Sequence, residues 1–247
     1  ILLIDFQKEF FQSNGVLKKK CIDVKLANRT ARFVKKLFEQ DSESENFVFI
    51  FVRSCYDDWT DSRAPHININ EKLVDIDDRL CGSHFGGNCC EKNSVLHEFV
   101  DEIDTVYKNL QTQASDRTFL IEKTYYSAFT NTALEDVLRR QNVKNVFLTG
   151  VTSTSCVQAT AFNAHHLGFE TFLITDCTAA SNLERHCEAV SKLCLKEVWR
   201  LTTSNELHHQ IENGWSVAQT LPFRFVPSVL SSDLAEHAFE KLRDELR

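Results

Sequence analysis

The sequence predicts an α/β protein with a three-layer, Rossmann-like architecture around a mostly parallel sheet of about six strands. Three observations predict it. Short, wholly apolar runs read as strands buried on both faces. Segments with apolar residues every three or four positions lie between them and read as helices. The two kinds of segment alternate along the chain, and at 247 residues with 43% hydrophobic composition the chain suits one large domain.

The elements follow in order. Residues 1–4 are an apolar run ended by Asp5, the pattern of a central strand with a polar group at its carboxyl end. Across 22–40, Ala27, Ala31, Val34 and Phe38 recur at helical intervals with Leu26, Phe33 and Leu37 beside them, and the acidic stretch DSESEN ends the helix. Residues 47–52 are the second strand. The polar excursion over 53–95, with Pro65 and GSHFGG, is too long for a simple connection and is expected to shape a substrate pocket or a subunit contact. Residues 118–121 form a strand leading into Glu122 and Lys123. Thr132-Ala-Leu-Glu135 has the form of a capping box, with Leu134, Val137 and Leu138 turned to the core. Residues 146–148 make a strand, a helix runs from Cys156 to Gly168, and 172–174 make a strand ending near Asp176. Ser181-Asn-Leu-Glu184 is a second capping box, heading a helix to Leu195, and 198–201 make the last strand. The domain is expected over 1–204. An extension over 205–247, with Pro222 and Pro227 around FRFV and an amphipathic stretch at 234–246, is expected to pack on the domain or on a neighbouring subunit.

Composition narrows the function classes. A net charge of −7 supplies no basic field for a polyanion, so nucleic acid is not an expected partner. The longest apolar run, 47–52, falls far short of the roughly 20 residues of a membrane span. Nine cysteines without a CxxC pair read as reduced thiols, which points to a cytoplasmic protein and gives no support to a structural zinc site. Adjacent Cys89 and Cys90 read as packing or surface residues. The chain has no Met and opens on ILLID, which leaves open an upstream segment, a removed targeting peptide or missing Met positions.

The stretch GVTSTSCVQATAFNAHHLG, residues 150–168, sets Cys156 where an apolar strand gives way to a helix. Unpaired N–H groups and the positive dipole end at a helix start favour a thiolate. Asp5 and Lys123 also follow predicted strands, and ligands of such sheets bind beyond the strands' carboxyl ends. A carboxylate to take the thiol proton and an ammonium to hold the charges would activate a nucleophile. Taken singly, Cys156 reads as a small buried hydrophobe, Asp5 as a turn residue and Lys123 as a solvated cation. Trp59 and Phe129 read as pocket-lining aromatics or as packing, and Gln158 as a substrate contact or part of the pocket wall. His165 and His166, late in the helix, read as surface residues.

Three segments carry a resemblance: LLIDFQKEFF, EKTYYSAFTNTALEDVL and LTGVTSTSCVQATAFNAHHLGF. In this order they resemble the motif blocks of the isochorismatase-like cysteine hydrolases, the superfamily of isochorismatases, nicotinamidases and N-carbamoylsarcosine amidases. The likeness runs from Ile1 to about Thr203. It implies an Asp-Lys-Cys triad on Asp5, Lys123 and Cys156, a cis peptide bond at Val151-Thr152, and an oxyanion hole from the Thr152 and Cys156 N–H groups. It implies hydrolysis of an amide-like C–N bond in a small molecule through a thioester, without a cofactor, in a homo-oligomer such as a dimer or tetramer. Nicotinamidases of this superfamily hold a metal on an Asp-x-His and a further His. Here the matching stretch, YDDWTDSRAPH, has Thr60 where Asp58 would need its His, and His66 further on, so the expectation is no metal. Vinyl ether hydrolysis, as in isochorismatases, and a non-catalytic binding or scaffold role are the alternatives.

Overall fold

The computed structural model of the chain describes residues 1–15, 22–41, 44–55, 90–195 and 198–213. Six strands form one sheet: β1 (Leu2–Ile4), β2 (Phe49–Ser54), β3 (Thr118–Lys123), β4 (Asn145–Val151), β5 (Glu170–Ala179) and β6 (Arg200–Thr202). Their order is β3-β2-β1-β4-β5-β6, and every pairing is parallel. The order reverses between β1 and β4, which makes the carboxyl ends of these strands the place for a ligand crevice. Seven α-helices flank the sheet among the described residues: α1 (Lys8–Phe11), α2 (Val24–Gln40), α3 (Asp101–Gln113), α4 (Leu134–Arg140), α5 (Cys156–His166), α6 (Leu183–Leu195) and α7 (Ser204–Glu212).

The expected three layers follow from the pleat. Successive strand residues point to opposite faces, so an all-apolar strand must be covered twice. Leu3, Phe49, Phe51, Phe147 and Phe172 pack with Val34 and Leu37 of α2, Ile103 of α3 and Leu207 of α7. Leu2, Ile4, Ile50, Val52, Leu148 and Leu173 pack with Leu138 of α4, Val157 and Ala161 of α5, and Val190 of α6. In α2 the anticipated stripe is the buried one, joined by Thr30, whose hydroxyl donates to the Leu26 carbonyl at 2.9 Å.

Some details depart from expectation. Helix α3 has no counterpart in the sequence reading, because only Ile103 and Leu110 are buried in it and the acidic first turn obscures a narrow apolar stripe. The first capping box is displaced: Ala133 is the cap of α4, and the Thr132 hydroxyl accepts from Leu134 N at 3.1 Å. At α6 the side-chain Oδ1 of Asn182, rather than the Ser181 hydroxyl, accepts from Arg185 N at 2.9 Å. The 204/205 boundary falls in the first turn of α7, which Thr203 caps and which meets α2 through a His208–Gln40 bond of 2.5 Å. Residues 214–247, and 56–89 of the predicted pocket loop, lie outside the described residues. Among the described residues no helix is long and apolar enough to cross a membrane.

Candidate active site

Four parallel strands deliver the site to one edge. Asp5 follows β1, Ser54 and Lys123 are the last residues of β2 and β3, and Cys156 opens α5 just after β4. The strand ladder carries on past the ends: Asp5 N donates to Val52 O, and Cys55 N to Lys123 O, both at 2.9 Å. Asp5 takes a left-handed backbone with φ of 55°. That conformation is unfavourable for a residue with a Cβ and occurs mainly where the surroundings enforce it. It breaks the alternation of β1, and the carboxylate meets groups from β2 and β3 rather than following Leu3 into the α2 layer.

Lys123 links the cluster. Its Nζ lies 2.8 Å from Asp5 Oδ2, and it donates to Ser54 Oγ at 2.7 Å and to Cys156 Sγ at 3.4 Å. Ser54 Oγ in turn donates to Asp5 Oδ1 at 3.2 Å. The Asp5 Oδ2 contact is an ion pair whose angles fall outside hydrogen-bond geometry. Asp5 and Lys123 are 0% and 1% exposed, so each would be costly to bury without the other. Burial alone would push the Lys123 ammonium down, but the Asp5 carboxylate and the Cys156 sulfur outweigh it and hold it above its usual range. Lys123 is therefore a fixed positive charge between a carboxylate and a buried thiol.

The turn before Cys156 is held from several sides. The Val151-Thr152 peptide is cis, as the resemblance implied. Thr152 O accepts from Ser155 N at 3.1 Å and Val157 N at 3.2 Å, and Ser153 N donates to Ala179 O of β5 at 2.9 Å. Ser153 Oγ and His186 Nδ1 are 3.0 Å apart, both residues being buried. Desolvation lowers the His186 pKa to about 4, so the ring is neutral at pH 7. Thr160 Oγ1 donates to Cys156 O at 2.8 Å and accepts from Ala128 N at 3.0 Å, which joins α5 to the segment carrying Phe129.

The structure thus brings Asp5, Lys123 and Cys156 together. Phe129 is buried and stacked on Phe169, ring centroids 6.0 Å apart, and Gln158 is half-buried on α5. Trp59, Asp57, Asp58, Thr60 and His66 lie outside the described residues. Sequence reasoning missed Ser54, Gln7, Ser153 and His186. Ser54 had a signal, a polar residue closing an apolar strand just as Lys123 does. Gln7 had none: it is fully buried, accepts from Ser54 N at 2.8 Å, and donates to Ser54 O at 2.8 Å and His97 O at 2.9 Å. Among the described residues one group of three potential metal ligands is close together, Cys55, His97 and Glu122.

Comparisons with known proteins bear on the fold and the family of the chain. Over 100 residues the chain is 34% identical to Nicotinamidase 3 of Arabidopsis thaliana, covering 40% of this chain and 50% of that protein, so it spans half the length of that relative. Over 178 residues it is 24% identical to the ureidoacrylate amidohydrolase RutB of Rhizobium rhizogenes, covering 72% of this chain and 69% of that protein. In fold it is similar to the pyrazinamidase/nicotinamidase of Streptococcus mutans UA159, with a TM-score of 0.64, 20% identity and coverage of 81% of this chain and 98% of that one. The N-carbamoylsarcosine amidase of Thermoplasma acidophilum gives a TM-score of 0.55 at 21% identity, covering 83% of this chain and 95% of that one. Residues 1–205, the sheet and all the residues of the cluster included, match the isochorismatase domain. That match decides membership: the chain belongs to the isochorismatase-like hydrolase family.

Proposed function

We propose that this chain is a cysteine hydrolase that cleaves a small amide-like C–N bond, in an amide, carbamoyl or ureido compound, through a thioester. One observation carries the reading: a single buried ammonium, Lys123, lies at 2.8 Å from Asp5 and 3.4 Å from Cys156. The names of relatives, an amidohydrolase and nicotinamidases among them, support a C–N bond as the target.

The chemistry uses only these side chains and one water molecule. Asp5 takes the Cys156 thiol proton, and the thiolate attacks the substrate's carbonyl carbon while Lys123 balances the charge of the sulfur. The N–H groups of Thr152 and Cys156 stabilise the tetrahedral oxyanion. Asp5 passes its proton to the leaving nitrogen, the C–N bond breaks, and ammonia or an amine departs, leaving a thioester on Cys156. Asp5 then takes a proton from water, the hydroxide attacks the thioester carbon, and the proton returns to the sulfur as the acid leaves.

An ammonia-release screen over small amides, ureides and nicotinamide tests the reading, with Cys156→Ala as the control. Activity on at least one C–N substrate is expected, reduced by at least ~10³-fold in Cys156→Ala, since members of a catalytic unit are individually indispensable. Ammonia release that survives the substitution would contradict the thioester route through Cys156, and vinyl ether cleavage becomes the reading if no C–N substrate is turned over and a vinyl ether is. Iodoacetamide supplies a check that needs no substrate. Burial raises the Cys177 thiol above its ordinary range and the Cys194 thiol to about 11, so both stay protonated at pH 8, and Cys156 is expected to label fastest. Uniform labelling across the thiols would contradict the nucleophile assignment.

A further inference from the structure

On the other face of the same sheet edge, three side chains of metal-ligating type come together from three segments. Cys55 follows β2, His97 closes the 3₁₀ turn Val95–His97, and Glu122 is the next-to-last residue of β3. One ligand atom from each lies within 4.8 Å of the other two. The pleat separates this group from the catalytic cluster. Val52 and Ile121 point into the α5 layer, and Ser54 and Lys123 continue their face. Phe51 and Leu120 point into the α2 and α3 layer with Phe99, and Cys55 and Glu122 continue theirs.

A second observation is independent of the grouping. His97 is only 4% exposed, and its Nε2 is shielded from solvent without a hydrogen-bond partner. A buried ring nitrogen left unsatisfied is costly, and such an atom in a native fold calls for an explanation. A bound ion satisfies it.

The three segments are also tied to one another by buried hydrogen bonds. Cys55 N donates to Lys123 O at 2.9 Å, which fixes Cys55 beside the end of β3. Gln7 Nε2 donates to Ser54 O at 2.8 Å and His97 O at 2.9 Å, which ties the end of β2 to the 3₁₀ turn. Arg53 grips Glu122 through Oε1 alone, from Nε at 2.9 Å and Nη2 at 2.5 Å, and so orients the carboxylate as an outer partner of a metal ligand does. Its positive charge opposes a cation, but a thiolate and a carboxylate together outweigh it.

We propose that Cys55, His97 and Glu122 hold one divalent transition-metal ion of the zinc type. Thiolate, imidazole and carboxylate are the donor set that borderline-soft ions prefer, with water in the fourth position. Bonds of about 2.0–2.3 Å require donors about 3.5 Å apart in a tetrahedron, so the side chains close by roughly an ångström on the ion. The site is a clamp rather than a catalyst. It joins the ends of β2 and β3, one residue from Ser54 and from Lys123, and takes no part in the C–N chemistry. The inference does not depend on the hydrolase reading.

Metal loading of the chelator-stripped chain tests it, with Co²⁺ as the probe and bound metal as the readout. Stoichiometric binding is expected, with a thiolate-to-cobalt charge-transfer band in the near ultraviolet. The band should disappear in Cys55→Ser and persist in Cys156→Ser. Affinity should fall by at least ~10-fold in Glu122→Gln, a partly exposed position where folding is not at risk. Thermal stability of the unsubstituted chain should rise when Zn²⁺ replaces the chelator. Binding of less than a tenth of an equivalent overturns the proposal, as does a spectrum indifferent to Cys55→Ser and Glu122→Gln. A band lost in Cys156→Ser and kept in Cys55→Ser also overturns it, because the metal would then sit on the catalytic cluster. Turnover enters none of these measurements, so failure of the hydrolase reading leaves them intact.

Discussion

At the scale of single residues, the site is governed by what a buried charge costs. Asp5 and Lys123 are sealed from water, and each is tolerable because the other is there. Lys123→Met is therefore expected to do more than slow turnover. It leaves the Asp5 carboxylate buried without its cation, and urea denaturation should show a loss of about 3–5 kcal/mol. The double variant Asp5→Asn/Lys123→Met should recover much of that loss while remaining inactive, and a double variant no more stable than Lys123→Met would contradict the account. Ser54→Ala removes a hydroxyl bonded to both charges and should cost about 1.5–3 kcal/mol in the same measurement.

At the scale of elements, two glycines with left-handed backbone do different work. Gly150 in β4 has φ of 107°, and a Cβ there would lie 2.0 Å from the Ile4 carbonyl oxygen. The close approach of β1 and β4 at the switch point depends on that missing atom. Gly168, with φ of 82°, ends α5, and its added Cβ would meet nothing within 4 Å. It completes a Schellman cap in which Phe169 N donates to Ala164 O and Gly168 N to His165 O, both at 3.0 Å. Gly168→Ala should thus cost only about 1–2 kcal/mol of backbone strain. Gly150→Ala adds a backbone clash to the same strain and should cost clearly more, with loss of the soluble folded chain as its extreme. Equal melting temperatures for the two variants would refute this assignment.

At the scale of the whole molecule, burial couples the fold to pH through its histidines. His186 has a folded pKa of about 4 because desolvation disfavours its charged form, and desolvation lowers His97 and His208 as well. The unfolded chain takes up a proton near pH 6.5 that folded His186 refuses until about pH 4. Stability is therefore full above the unfolded value and falls as pH drops through this window, by up to about 3 kcal/mol from His186 alone. His186→Asn should flatten that acid limb, comparing unfolding free energies at pH 7 and pH 4.5. An unchanged slope would show that the carboxylates, and not this histidine, set the acid response.

The sequence by itself determined the layers and half of the site. Unbroken apolar strands need cover on both faces, and that requirement is local and written in residue type, which is why four of the helices, α2, α4, α5 and α6, and all six strands could be placed from pattern. Asp5, Lys123 and Cys156 were legible because strand-end position and three family-like segments coincide on them. What the tertiary structure decided is how those ends meet: the sheet order, the left-handed turn at Asp5, and the roles of Ser54, Gln7, Ser153 and His186. These depend on contacts between residues far apart in the chain, 33 positions for Ser153 with His186, and 47 and 90 for Gln7 with Ser54 and His97. No window of sequence contains both partners of such a contact, and a buried glutamine or histidine looks like any other until its partners stand beside it.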